Sequence, residues 1–463
     1  MVFSSLFFLF LFLPTVLLLY YSSPWRLKNL ILFAASLFFY AWGEPVYIAI
    51  MLLSTVTDYS FGLLLDRPSD SQARRKFIVV LSVIVNLGLL SFFKYGDFLI
   101  TNVNSLLGTD IPPTELPLPI GISFYTFQSM SYIIDVYRGK VKAQRSWLDF
   151  GTFVALFPQL VAGPIVQYST IAEQLRHRTV DMPMFAEGVR RFTIGLAKKV
   201  ILANNIGLLW DGISSTSADT LPILTAWLGI IAFAFQIYFD FSGYSDMAIG
   251  LGLMFGFRFS ENFNKPYAAR SITDFWRRWH ISLSSWFRDY VYIPLGGNRR
   301  GAWIQLRNIM VVWLLTGFWH GASWNFLLWG LYFGVILVFE KWAGLRLLSK
   351  LPSWVGHIYA ILLILIGWVL FAFDELPAVG RYLAAMMGMN GQAWVDSGTG
   401  YLLYTNAILL AVLVVASLPL KYYFVVRLRF AAYSRPAWHA VLLLLSIAYL
   451  VDASFNPFLY FRF

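Results

Sequence analysis

The chain holds no cysteine among its 463 residues, which removes any cysteine acyl-enzyme intermediate and points to oxygen or imidazole as the nucleophile. Five histidines are available: His177, His280, His320, His357 and His439. His320 lies in Thr316-Gly-Phe-Trp-His-Gly-Ala-Ser-Trp-Asn325, with apolar sequence on both sides and no acidic residue nearby in the chain. Low dielectric disfavours imidazolium, so a histidine buried there stays neutral and keeps a ring nitrogen able to accept a proton. A general base needs that property, and against a hydroxyl it gives about 10²–10⁴-fold acceleration. The bland use of the same residue is a hydrogen bond to a neighbouring helix.

His280 lies in Ser271-Ile-Thr-Asp-Phe-Trp-Arg-Arg-Trp-His-Ile-Ser-Leu-Ser-Ser-Trp-Phe-Arg-Asp-Tyr290, a mixture of aromatic, cationic and hydroxyl residues that reads as an amphipathic segment at a membrane surface. There Arg277, Arg278 and Arg288 could anchor the segment to lipid phosphates as readily as bind a substrate. His177, inside Arg176-His177-Arg178, reads as part of a solvated basic loop, and His357 and His439 read as interfacial residues opening apolar helices. Pro294-Leu-Gly-Gly-Asn-Arg-Arg-Gly301 is glycine-rich but lacks the spacing and the Lys-Ser/Thr ending of a phosphate loop. No HExxH, CxxC, GxSxG or dinucleotide pattern occurs, so the motifs support neither a metal nor a bound cofactor.

These histidines must be positioned by elements that live in a bilayer. Apolar residues make up 59% of the chain and charged residues 13%, with mean hydropathy +0.65, against about 25% charged in soluble domains. Apolar runs of about 20 residues alternate with short basic loops along the whole length, as one embedded domain over residues 1–463 would require. Residues 3–21 follow no charged leader and precede no small-residue cleavage pattern, so they read as a first transmembrane helix. The net charge of +11 sits in loops between apolar runs, where the positive-inside rule places it, and does not call for a nucleic-acid partner.

Basic loops at 22–29, 66–76, 138–147, 258–307, 341–350 and 421–437 should face the cytoplasm, and the acidic stretches 96–118, 205–222 and 374–400 should face outward. Helices at 77–93, 353–373, 401–420 and 438–452 thread between them. Three central segments do not. Segment 148–166 has breaks at Phe157-Pro158 and Ala162-Gly163-Pro164, and 308–340 reads as a broken hairpin with His320-Gly321 at its middle. Segment 223–257 is too long for one simple crossing and is expected to be interrupted at Asp240-Phe-Ser-Gly-Tyr-Ser-Asp246, where charge inside an apolar run implies a polar cavity or a bend. The expected fold is therefore all-α, with about 10–12 transmembrane or re-entrant segments around a thinned, irregular centre. The chain shows no convincing internal repeat of the kind that many transporters show.

Six ordered blocks resemble the membrane-bound O-acyltransferase family, and within it the bacterial branch that acetylates exported polysaccharides such as alginate and cellulose. They are Leu118 to Gly139, Phe157 to Ile165, Asp240 to Gly250, the His280 segment, the Trp319-His-Gly321 segment and the closing Asn456-Pro-Phe-Leu-Tyr-Phe. The resemblance implies that His320 is the catalytic histidine and His280 its support, in a tunnel joining the two membrane faces. It also implies a cytosolic acyl thioester donor such as acetyl-CoA and a multi-pass place in the bacterial inner membrane. Its partners would be an extracytoplasmic SGNH-type acetyltransferase or other acetylation subunits, along with membrane lipid. On this reading Trp279 and Asn325 shape the site, and Arg277, Arg278, Arg288, Arg299 and Arg300 receive the donor's phosphates, unless they serve only as positive-inside residues. Two rivals stand beside it: a transporter or flippase of an acylated or sugar intermediate, and a D-alanyl transfer protein of teichoic acid synthesis.

Overall fold

The computed structural model describes residues 1–67, 71–161, 163–419, 430–452 and 459, with 430–435 by their backbone. Ala162 of the Ala162-Gly163-Pro164 break, most of the closing Asn456 block, part of the 66–76 loop and most of the 421–437 loop lie outside the described residues. Among the described residues every regular element is helical. Seven helices are long and apolar enough to cross a membrane, and two further apolar helices, Phe8–Ser22 and Pro436–Asp452, are shorter. This is an all-α integral membrane architecture. The chain sorts into two compact units, one of Met1–Phe192 with Ser245–Glu261 and the other of Thr193–Tyr244 with Asn262–Phe463.

The first unit begins with α1 (Phe8–Ser22), whose first turn is a π-helix, then α2 (Trp25–Ala41), α3 (Ile48–Leu65) and α4 (Gln72–Leu107). Asp58 of α3 is fully buried and accepts from Ser82 Oγ at 2.9 Å and Asn86 Nδ2 at 2.8 Å on α4. Polar ties of this kind join helices where lipid gives no hydrophobic drive to associate. Helix α5 (Ile122–Tyr137) is buried on nearly all sides, and α6 (Trp147–Ala155) is followed by the separate turn Phe157–Leu160, so the Phe157-Pro158 break falls where the sequence puts it. After helix α7 (Tyr168–Arg176), Arg176 and His177 are exposed as expected, but Arg178 is buried, because aromatic faces and neutral acceptors surround its guanidinium.

Helices α8 (Met182–Ser214) and α9 (Ile223–Met254) follow. The expected interruption of α9 at Asp240–Asp246 is absent, since the helix is continuous through it. Its acids are matched instead of being bent away. In the second unit Asp240 pairs with buried Lys199 at 2.8 Å, and in the first Asp246 pairs with Arg191 at 2.8 Å. With its charges answered sideways, the helix keeps its backbone hydrogen bonds.

The second unit continues with two short helices, α10 (Ile272–Trp276) and α11 (Ile281–Phe287), then α12 (Ala302–His320) and α13 (Trp324–Leu348). It is completed by α14 (Ser353–Ala372), α15 (Leu376–Met386), α16 (Ser397–Ser417) and α17 (Phe430–Asp452). Helices α12 and α13 form the broken hairpin that the sequence indicates. Glycine lets their backbones touch: a Cβ on Gly317 would lie 2.3 Å from the Phe326 carbonyl oxygen, and one on Gly330 would lie 2.4 Å from that of Trp313.

Candidate functional site

Helix α12 ends at His320 because Gly321 and Ser323 leave the helical conformation for extended backbone, and α13 restarts at Trp324. Gly321 has no room for a side chain, since a Cβ there would lie 2.1 Å from the Phe326 ring. The imidazole of His320 is framed by Trp319, Trp329 and Phe371, with ring centroids 4.9, 5.1 and 5.2 Å away. Three rings fix the plane of the imidazole.

His280 sits between α10 and α11 with φ of +45°, a left-handed conformation that costs a non-glycine residue about 1–2 kcal/mol. Neighbouring backbone holds it there. Ile281 N–H donates to the Asn262 carbonyl at 2.9 Å, Asn264 N–H donates to that of Arg278 at 2.9 Å, and Asn262 Oδ1 accepts from Ser282 N–H at 3.1 Å and Ser282 Oγ at 2.9 Å. Burial pushes the His280 imidazole down to about 4, so it is neutral at ordinary pH. The segment is amphipathic as expected, with Arg277 and Arg288 exposed, but Phe275, Trp276, Trp279 and Trp286 bury its other face within the unit.

Both histidines line one cavity of about 250 Å³. With them are Arg277, Arg288 and Trp279, and His280 and His320 both pack on Trp319, with centroids 6.1 and 4.9 Å from it. These five of the residues singled out from sequence thus meet at one place, whereas Arg278, Arg299 and Arg300 do not line the cavity. Asn325 does not line the cavity. It is fully buried, donates to the Phe373 carbonyl at 2.7 Å, and accepts from the Ser323 hydroxyl, so it ties the hairpin break to the end of α14. Arg288 also pairs with its neighbour Asp289 at 2.8 Å.

Other lining residues went unremarked in the sequence, among them Thr316, Val312 and Trp313 of α12. Thr316 stands four residues before His320, and that spacing puts both on one helix face. A second omission is Glu340, whose buried carboxylate accepts from Ile272 N–H and Thr273 N–H, each at 2.7 Å, and from Thr273 Oγ1 at 2.6 Å. It caps α10 from α13 and so connects the hairpin of His320 to the segment of His280. Its only sequence signal is an acid at the end of an apolar run. The glycine loop 294–301 is pinned by Asn308, whose amide donates to the carbonyls of Leu295 at 3.3 Å and Gly297 at 3.1 Å, and it is absent from the cavity lining. Among the described residues no group of acids and histidines could hold a metal ion.

Comparison with known proteins bears on this arrangement. A family model for MBOAT, the membrane-bound O-acyltransferase family, matches residues 142–366, a span that includes both cavity histidines. A probable alginate O-acetylase of Azotobacter vinelandii is 42% identical over 100% of both chains. One from Pseudomonas aeruginosa is 43% identical over 92% of this chain and 82% of its own. A peptidoglycan O-acetyltransferase of Helicobacter pylori is 37% identical over 84% of this chain and 80% of its own.

Proposed function

We propose, since the chain belongs to the membrane-bound O-acyltransferase family, that it moves an acetyl group from a cytosolic thioester donor toward a hydroxyl acceptor on the outer side of the bacterial inner membrane. The observation that carries this reading is the convergence of His280, His320, Arg277 and Arg288 on one cavity. His320 takes the proton of the acceptor hydroxyl as its oxygen attacks the thioester carbonyl. The carbon–sulfur bond then breaks, and the departing thiolate takes the proton back, so that ester and free thiol are the products. Neutral His280 orients the donor, Trp279 supplies an apolar wall, and Arg277 and Arg288 meet the donor's phosphates with planar, permanently charged groups. Asn325 acts at one remove, by holding the hairpin break.

The final acceptor is a hydroxyl of an exported polysaccharide, in keeping with the alginate and peptidoglycan named in its relatives. An extracytoplasmic SGNH-type acetyltransferase carries the group onward, and a passage from the cavity to the outer face delivers it. The test is thioester turnover. Purified protein in detergent should release free thiol from acetyl-CoA or an acetylated phosphopantetheine carrier when a hydroxyl acceptor is present. Absence of thiol release together with uptake of an acylated sugar into proteoliposomes would favour a transporter instead.

A further inference from the structure

Two cations of the first unit take no part in the acyl-transfer chemistry. Arg178 is 9% exposed, with its guanidinium 4.4 Å from the ring centroid of Phe257 and 4.9 Å from that of Trp25. Its Nε donates to the Tyr20 hydroxyl at 2.9 Å and the Phe255 carbonyl at 3.1 Å, and its Nη1 donates to the Gln174 carbonyl at 3.1 Å. Every one of these acceptors is neutral, and Nη2 has none. The Lys28 ammonium stands 4.6 Å from the centroid of the same Tyr20 ring and 5.9 Å from that of Trp25, and it forms no ion pair among the described residues.

The two positive charges therefore share the same two rings without a carboxylate in contact. Asp149, an acid that acts on Arg178 through space, accepts the Asn29 amide at 2.7 Å. Helix α2 begins at Trp25 with no acid in its first turn, so the positive end of its dipole adds potential beside Lys28. Like charges held together raise each other's cost, and an anion that shared them would remove it.

We infer that Lys28 and Arg178, with the start of α2, hold the phosphate of an anionic phospholipid headgroup. Three observations favour lipid over a soluble phosphate. Trp25 and Tyr21 are 37% and 44% exposed beside the cations, as amphipathic rings at headgroup depth are. Leu18, Leu19, Leu27 and Leu30 are also exposed on the same two helices and offer an apolar face to acyl chains. The basic loop 22–29 lies on the side that the charge pattern makes cytoplasmic, where anionic lipid attracts basic residues at about 1 kcal/mol each.

The full-length protein, freed of lipid in detergent, is titrated with phosphatidylglycerol, phosphatidylcholine or inorganic phosphate, and lipid retention is read by native mass spectrometry. Phosphatidylglycerol should be retained in preference to phosphatidylcholine. Lys28→Gln should weaken the former about fivefold, the factor that corresponds to one such charge, without changing the latter or the melting of lipid-free protein. Arg178→Lys, if it folds, should act in the same direction. Equal retention of the two lipids, undiminished phosphatidylglycerol binding by Lys28→Gln, or displacement of the lipid by millimolar inorganic phosphate would each overturn the assignment.

Discussion

Helix α9 carries Asp240 and Asp246 through 32 residues without a break, whereas the apolar run from Ala302 to Leu348 stops at His320 and restarts at Trp324. Both runs have polar residues near their middles, and from sequence both are expected to be interrupted. In α9 the acids are answered by cations one helix away, Lys199 for Asp240 and Arg191 for Asp246, each at 2.8 Å. Small residues allow that approach: a Cβ on Gly243 would lie 2.8 Å from the Gly195 carbonyl oxygen, and one on Gly250 would lie 2.7 Å from that of Gly188. At His320 the break is made by the backbone itself, by extended Gly321 and by Ser323 before the restart. Polarity within the membrane can thus be met either by a partner or by an opening, and the cavity accompanies the opening.

Four perturbations distinguish the two regions, with effects that should decline in turn. If Lys199 is what keeps α9 whole, Lys199→Met should cost about 3–5 kcal/mol by stranding a buried carboxylate. Lys199→Met with Asp240→Leu should recover most of the loss in a detergent unfolding assay. Equal stability of the single variant and the wild type would show that the pair does not matter.

Acid should act on the other region. The folded protein holds the His280 imidazole at about 4, below the ordinary 6.5, so the unfolded chain binds more protons between those values. Stability from this source is complete above pH 6.5 and falls as pH drops toward 4, by about 3 kcal/mol if nothing else titrates. His280→Asn, which tolerates the left-handed backbone, should flatten that part of the pH–stability curve.

A methyl group at the break is a smaller perturbation. Gly321→Ala must displace Phe326, which packs against Phe371 at 5.1 Å, and Phe371 in turn packs against His320 at 5.2 Å. We expect about 1–3 kcal/mol of destabilisation, with a fall in kcat larger than the change in donor KM. The smallest effect is expected at the rim. Correctly inserted Arg277→Glu or Arg288→Glu should raise donor KM and reduce its salt dependence, with kcat nearly unchanged. Unchanged KM in both would make these arginines topological anchors, and labelling of cysteines introduced at 391 and in 66–76 from opposite sides would verify their orientation.

Much of the site was legible because it is local. The His320-Gly321 break and the aromatic, cationic segment of His280 are continuous in the chain; loop charge and local composition locate them, and the family resemblance supplies their roles. What the sequence concealed depends on long-range partners. Nothing near Asp240 announces that Lys199 lies beside it, nothing near Arg178 announces Phe257, and the capping of α10 by Glu340 spans 67 residues. Asn325 is expected to shape the site, but five residues beyond the end of α12 its amide turns to the carbonyl of Phe373. A charge in an apolar run reports that a compensation exists without saying which.

The central claim is that the histidine at the hairpin break is the base. Steady-state thiol release by purified His320→Ala, His280→Ala and wild-type protein tests it, with matched melting curves to confirm that all three are folded. His320→Ala should lose about 10²–10⁴-fold or more in kcat while keeping its donor KM, and His280→Ala should retain a reduced rate. Wild-type turnover by a folded His320→Ala protein would contradict the mechanism.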